Sequence, residues 1–205
     1  MIIRKYSAMV FDLGKVLIPF DYSPAINKLN QIEKGLGDRF IEFYKSNYHF
    51  HRDFESGKVS ENEFVNKMLE VVDNKTDAET FKKYYADIFS VDEDVVSLLP
   101  VLKTDYKLFL LSNTDSIHQK YGWQKYEFLK YFDKLILSHE VGAVKPEENI
   151  YRKVEEVSGF PSEEHLFIDD IEEYVDAAIN LGWDAVQFVD YQKLVSDLTE
   201  RNILK

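Results

Sequence analysis

Ser7-Ala8-Met9-Val10-Phe11-Asp12-Leu13-Gly14 is the stretch from which the fold follows. An apolar run that stops at a carboxylate and a glycine has the pattern of a strand buried on both faces, with a chemically capable side chain at its tip. The pattern recurs down the chain. Tyr106-Lys107-Leu108-Phe109-Leu110-Leu111 leads into Ser112-Asn113-Thr114, and Lys134-Leu135-Ile136-Leu137 precedes Ser138. His165-Leu166-Phe167-Ile168 leads into Asp169-Asp170, and Ala185-Val186-Gln187-Phe188-Val189 ends at Asp190.

Helical spacing fills the gaps between these runs. Asp92 to Lys103 carries Val95, Val96, Leu98, Leu99 and Leu102, and Ile150 to Ser158 carries Ile150, Val154 and Val157. Tyr174 to Leu181 stops at Gly182, which fits a C-terminal cap. Strands alternating with helices imply an α/β fold built on a doubly wound parallel sheet. Such sheets bind ligands beyond the carboxyl ends of their strands. Each polar cluster above sits at such an end.

Residues 20–90 break the alternation. Tyr22 to Asn30, Phe40 to Tyr48, Glu61 to Val72 and Ala78 to Phe89 are helix-like, without convincing strand patterns between them. Ser60-Glu61-Asn62-Glu63 is a capping-box pattern opening a Phe64, Met68, Val71 face. The expected layout is a core of residues 1–19 and 91–205 carrying an inserted α-helical cap over 20–90. Within that insertion His49, His51 and Arg52 could contact a substrate, and the His-x-His pair could bind a metal, but the favoured reading is a solvated helix end; His118, His139 and His165 read as surface or core residues. Tyr121 to Phe132, with six aromatic side chains, reads as core packing.

Composition narrows the function. With 45% hydrophobic residues, 15 Phe and 13 Tyr, the 205 residues suffice for a sizeable core. A net charge of −12 argues against a nucleic-acid or membrane-surface binder, which needs a basic face. An acidic protein acting on phosphates therefore needs local positive charge, from a metal or from placed lysines. With no cysteine there are no disulfides, thiol nucleophiles or thiolate metal sites. No run approaches the roughly 18 apolar residues of a bilayer span, so the expected location is cytoplasmic.

Phosphoryl transfer through a carboxylate needs a nucleophile, a cation, donors to the phosphoryl oxygens and a fixed positive charge. Asp12 offers the nucleophile, and Asp169 and Asp170 offer hard oxygen ligands suited to Mg²⁺. Ser112 offers a hydroxyl donor, and Lys145 in Gly142-Ala143-Val144-Lys145-Pro146 offers the charge.

Phe11-Asp12-Leu13-Gly14-Lys15-Val16-Leu17, Leu110-Leu111-Ser112-Asn113-Thr114, Val144-Lys145-Pro146 and Phe167-Ile168-Asp169-Asp170 resemble the four ordered motifs of the haloacid dehalogenase superfamily. The likeness covers essentially the whole chain, including the helical insertion, where Phe54 to Glu61 is similar to a recurrent cap segment. The Asp-Leu-Gly opening most resembles bacterial sugar phosphatases of the glucose-1-phosphatase type. The resemblance implies a Rossmann-like core and a Mg²⁺-dependent phosphatase acting on a small phosphorylated metabolite, with a sugar phosphate favoured. It further implies that Asp12 forms an aspartyl-phosphate, that Ser112, Asn113 and Lys145 hold the phosphoryl group, and that Asp12, the Gly14 carbonyl, Asp169 and Asp170 hold the metal.

The chain also departs from that pattern. Gly14 stands where family phosphatases carry a second Asp as general acid and base, and such help is worth roughly 10²–10⁴-fold in rate. Ile171 and Tyr174 stand where relatives support the metal with polar side chains, leaving Glu172 or Glu173 as substitutes. Lys15 is also unusual at its position. These departures keep a catalytically weakened binding or regulatory protein in view. A 2-haloacid dehalogenase is the other rival, and the Asp169–Asp170 pair counts against it.

Overall fold

The computed structural model describes residues 5–204. Its centre is a sheet of five strands, β1 (Ala8–Phe11), β2 (Lys107–Ser112), β3 (Lys134–Leu137), β4 (His165–Asp169) and β5 (Asp184–Gln187). Every neighbouring pair is parallel, in the order β3-β2-β1-β4-β5. The five apolar runs are these five strands, and the doubly wound α/β class is as expected. Between β1 and β2 lie α1 (Ser23–Ile32), α2 (Leu36–Ser46), α3 (Tyr48–Glu55), α4 (Glu61–Val71), α5 (Ala78–Ala86), α6 (Glu93–Val96) and α7 (Leu98–Leu102). After β3 come α8 (Ser138–Val141) and α9 (Glu148–Ser158); α10 (Glu172–Asn180) joins β4 to β5, and α11 (Tyr191–Glu200) follows.

The period of two in the strands separates the two cores. Met9, Phe11, Leu108, Leu110, Leu166 and Ile168 face one side, against α6, α7 and α11. Ala8, Val10, Phe109, Leu111 and Phe167 face the other, against α9 and α10. Burying each such large side chain contributes about 1.5–3 kcal/mol. α10 ends as expected. Gly182, at φ +93°, lets the Trp183 N–H donate to the Ala178 carbonyl and its own N–H to Ile179, closing the free carbonyls of the last turn.

Two helical readings change. Asp92 to Lys103 is two short helices meeting at Ser97, because Pro100 has no N–H and its ring opposes the carbonyl four residues back. The segment ending at Tyr48 is broken at Asn47, whose backbone leaves the helical region and whose side-chain amide donates to the Phe43 carbonyl at 3.1 Å; a further helix, α3, then starts at Tyr48. The capping box at Ser60 is present, with the Glu63 N–H on its hydroxyl and the Glu63 carboxylate on its backbone N–H. The face it opens is Phe64, Val65, Met68 and Val72.

Helices α1–α5 share an apolar cluster of their own around Phe40, Phe64, Phe81 and Tyr85, and lie over the carboxyl edge of the sheet. Two contacts fix α3 there. Arg52 donates to the Lys145 carbonyl at 2.8 Å. Just beyond α3, Gly57 at φ +72° passes the His139 backbone so closely that a Cβ would stand 3.0 Å from its carbonyl oxygen. Among the described residues no helix is long and apolar enough to cross a membrane.

Candidate active site

Strand register sets the site. Phe11 lies opposite both Leu110 and Ile168, so the next residues, Asp12, Leu111-Ser112 and Asp169, emerge together at one edge. The Asp12 N–H donates to the Ile168 carbonyl at 2.9 Å, extending the ladder to the carboxylate itself. Asp12, Ser112, Lys145 and Asp169 are all buried, and Asp170 is half-buried.

Lys145 bridges two of the carboxylates. Its ammonium lies 2.8 Å from Asp12 Oδ1 and 2.5 Å from Asp169 Oδ2. Tyr174 and Phe167 present ring faces 5.1 and 5.5 Å from the same nitrogen. Asn113 clamps the lysine's backbone from both sides, accepting its N–H at 2.8 Å and donating to its carbonyl at 3.1 Å. The Asn113 side chain is thereby committed to Lys145. Ser112 is buried, its hydroxyl donating only weakly to the Asn113 carbonyl at 3.4 Å.

Three carboxylates converge here. Oxygen atoms of Asp12, Asp169 and Asp170 lie within 4.8 Å of one another. Burial, opposed by Lys145 and reinforced by Asp169, pushes the Asp12 carboxyl up to about 7. Burial and then the charge of Asp169 raise Asp170 as well. Asp12 and Asp169 raise Lys145 against its own burial. The cluster thus lacks positive charge even with one lysine inside it. Lys15 adds a second ammonium 3.7 Å from Asp170. A hard divalent cation suits this donor set, since every candidate ligand is oxygen.

The departures after Asp170 have structural answers. The backbone N–H of Ile171 donates to Asp169 Oδ1 at 2.8 Å, so peptide geometry orients that carboxylate. Tyr174 covers Lys145 and accepts from Asn113 at 3.4 Å. Glu172 and Glu173 are exposed.

Two cavities, each of about 130 Å³, open at this edge. The first holds Asp12, Lys145 and Asp170. The second lies beneath the helical layer, with walls that include Tyr22, Tyr44, Phe89 and Trp123. Both share Gly14, Phe20, Tyr48, Glu55 and Asn113. The Phe20 ring stands 3.3 Å from where a Cβ on Gly14 would lie, so an aromatic surface occupies the direction of the missing side chain.

The second cavity overturns the reading of His51 and Arg52 as a solvated helix end. His51 is 5% exposed, with Nε2 2.8 Å from the Tyr85 hydroxyl and Nδ1 3.8 Å from Glu55. Arg52 ties the helix to Lys145. His49 is exposed, as expected. His118 does more than pack: Nδ1 pairs with Asp115 at 2.8 Å, while buried Nε2 has no hydrogen-bond partner among the described residues and its ring lines the cavity. Asp115, wholly buried, is held well below the usual carboxylate range by His118 and His51 against its burial. The signal that pointed to this face was Phe54-Glu55-Ser56-Gly57, whose glycine permits the close docking of α3.

Known proteins agree with the fold. D-ribitol-5-phosphate phosphatase of Bacteroides thetaiotaomicron is 28% identical over 190 residues, covering 87% of this chain and 90% of that protein. Pyrimidine 5'-nucleotidase PynA of Streptococcus pneumoniae is 25% identical over 199 residues, covering 89% and 84%. A crystal structure of a haloacid dehalogenase family enzyme from Bacteroides thetaiotaomicron, in complex with magnesium and inorganic phosphate, superposes with a TM-score of 0.79 at 27% identity, covering 92% and 98%. The family of haloacid dehalogenase-like hydrolases matches residues 27–188, and the motif-bearing residues from Asp12 to Asp170 stand at one edge of its fold. The chain belongs to the haloacid dehalogenase-like hydrolases.

Proposed function

We propose that this protein is a Mg²⁺-dependent phosphatase that cleaves a small phosphorylated metabolite, a sugar or polyol phosphate, through an aspartyl-phosphate on Asp12. The observation that carries the reading is the buried Lys145 ammonium between Asp12 and Asp169, in a carboxylate cluster still short of positive charge. The relatives named for phosphatase and nucleotidase activity, and the magnesium and phosphate in the related crystal structure, support it.

Asp12, Asp169, Asp170 and the Gly14 carbonyl would hold the cation. When bound, Mg²⁺ supplies the charge that lets a phosphate dianion approach a carboxylate. Asp12 attacks phosphorus, and Lys145 balances the charge that gathers on Asp12 and the phosphoryl oxygens. Ser112 and the backbone N–H of Asn113 contact those oxygens, the Thr114 N–H being taken by the Ser138 hydroxyl at 2.9 Å. The lysine is rigid because Asn113 fixes its backbone and Tyr174 covers its head.

Residues 20–90 act as a cap that shapes the leaving-group chamber. That chamber is well below the ~300 Å³ at which sites for larger ligands begin, which favours a short polyhydroxylated group over a nucleoside. His118 Nε2, Glu55 and the tyrosine hydroxyls offer hydroxyl partners. A panel of sugar phosphates, polyol phosphates, nucleotides and acyl phosphates, assayed with Mg²⁺ and with chelator, tests the reading. Turnover should require Mg²⁺, favour the sugar and polyol phosphates, and drop on the order of 10³-fold or more in Asp12→Asn. Equal turnover by the two proteins would sink the mechanism.

A further inference from the structure

Cleaving a phosphate ester leaves an alkoxide that needs a proton. Gly14 has no side chain to give one, and the Phe20 ring lies against it. The oxygen to be protonated bridges phosphorus, in the cavity of Asp12, and the organic group, in the chamber beneath the helices. It must therefore lie where the two cavities meet. The residues shared by both are Gly14, Phe20, Tyr48, Glu55 and Asn113. Of these, Tyr48 and Glu55 alone carry an ionisable proton, and Tyr48 is a half-exposed phenol whose ordinary value already lies far above neutrality. The geometry points to Glu55, brought over the sheet edge by α3, as the general acid and base of the phosphoryl transfer. This rests on the phosphatase reading above.

Glu55 is placed for that work by its surroundings. It is 8% exposed, and α3 is held by the Arg52 bond to the Lys145 carbonyl three residues earlier. Its ionisable neighbours are His51, 3.8 Å away, Tyr48 and Arg52 on α3, Tyr22 at the start of α1, Tyr44 from α2, Tyr85 from α5, and Asp115 and His118 from beyond β2. Burial first, and Asp115 after it, raise its carboxyl, opposed by His51, His118 and Arg52. A carboxyl so raised holds a proton further toward neutrality, as a general acid must.

The steps balance. As Asp12 attacks phosphorus and the ester P–O bond breaks, the Glu55 proton passes to the departing oxygen, releasing the alcohol. Water then attacks the aspartyl-phosphate, gives its proton to the Glu55 carboxylate, and the P–O bond to Asp12 breaks, releasing phosphate. Asp12 and protonated Glu55 are restored.

Single-turnover release of the leaving group is to be compared between the wild-type protein and Glu55→Gln. The probes are acetyl phosphate, whose acetate needs no proton, and the sugar or polyol phosphate that the wild type cleaves fastest. Release from the ester should fall roughly 10²–10⁴-fold in Glu55→Gln, while acetate release stays within a few-fold. In the wild type, ester cleavage should fall as pH rises through the Glu55 pKa, and Glu55→Gln should lose that limb. Glu55→Asp should recover part of the ester rate. An equal loss with both probes marks a structural role and overturns the assignment, as does no loss with either. A wild-type protein inert toward every phosphate tested, by contrast, removes the phosphatase reading itself.

Discussion

Lys145 shows what one buried charge does here. It is 1% exposed and pairs with two carboxylates, an arrangement whose parts are costly to bury separately. Lys145→Met keeps the volume and removes the charge, leaving Asp12 and Asp169 to repel each other. The expected loss is about 3–5 kcal/mol in urea unfolding without divalent cation. Added Mg²⁺ should recover more stability in this variant than in the wild type, because it meets a cluster with no internal cation. Phosphatase turnover should be lost even where the fold is restored. A variant that unfolds like the wild type in chelator would show that the bridge is not what holds these carboxylates together.

At the scale of elements, sheet and α3 do separable work. Leu110 in β2 is fully buried, and Leu110→Ala should cost about 2–5 kcal/mol through the lost methyl groups and the cavity left behind. It should leave kcat/KM nearly unchanged while the protein stays folded, because its side chain belongs to the core against α6, α7 and α11 and lines neither cavity. Gly57→Ala should cost only about 1–2 kcal/mol, from a positive φ and a Cβ 3.0 Å from the His139 carbonyl. It nonetheless should lower kcat/KM more, since relief of that contact lifts α3 and the groups it carries off the sheet edge. Urea titrations beside steady-state kinetics on both variants test this. The reverse ranking of the kinetic effects would show that α3 does not position the site.

For the whole molecule, charge dominates. A net charge of −12 is spread over the chain, and three of its carboxylates are gathered within 4.8 Å. Folding must hold them together against repulsion, so a cation that binds only the folded state stabilises it. Mg²⁺ at about 100 times its dissociation constant should add roughly 2.7 kcal/mol to the unfolding free energy. NaCl at matched ionic strength should add far less, and Asp170→Asn should remove most of the Mg²⁺ increment. Equal stabilisation by the two salts would mean general screening rather than a bound cation.

The chain's own sequence determined the sheet and the edge at which the motif residues gather. Parallel strands buried on both faces read as continuous apolar runs, so their ends, and with them Asp12, Ser112, Asp169 and Asp170, are visible without coordinates. Lys145 was visible by its motif, although its place between two carboxylates was not. Tertiary structure alone decided the other half of the site. His51, Arg52 and Glu55 sit on an eight-residue helix whose polar face looks like any solvated one, because its partner surface comes from residues some 60–95 positions later. Nor does any local pattern say that Phe20 lies against Gly14, or that His118 turns a buried nitrogen without a partner among the described residues toward the chamber. Local periodicity reports that a side chain will be buried. What it is buried against depends on long-range packing.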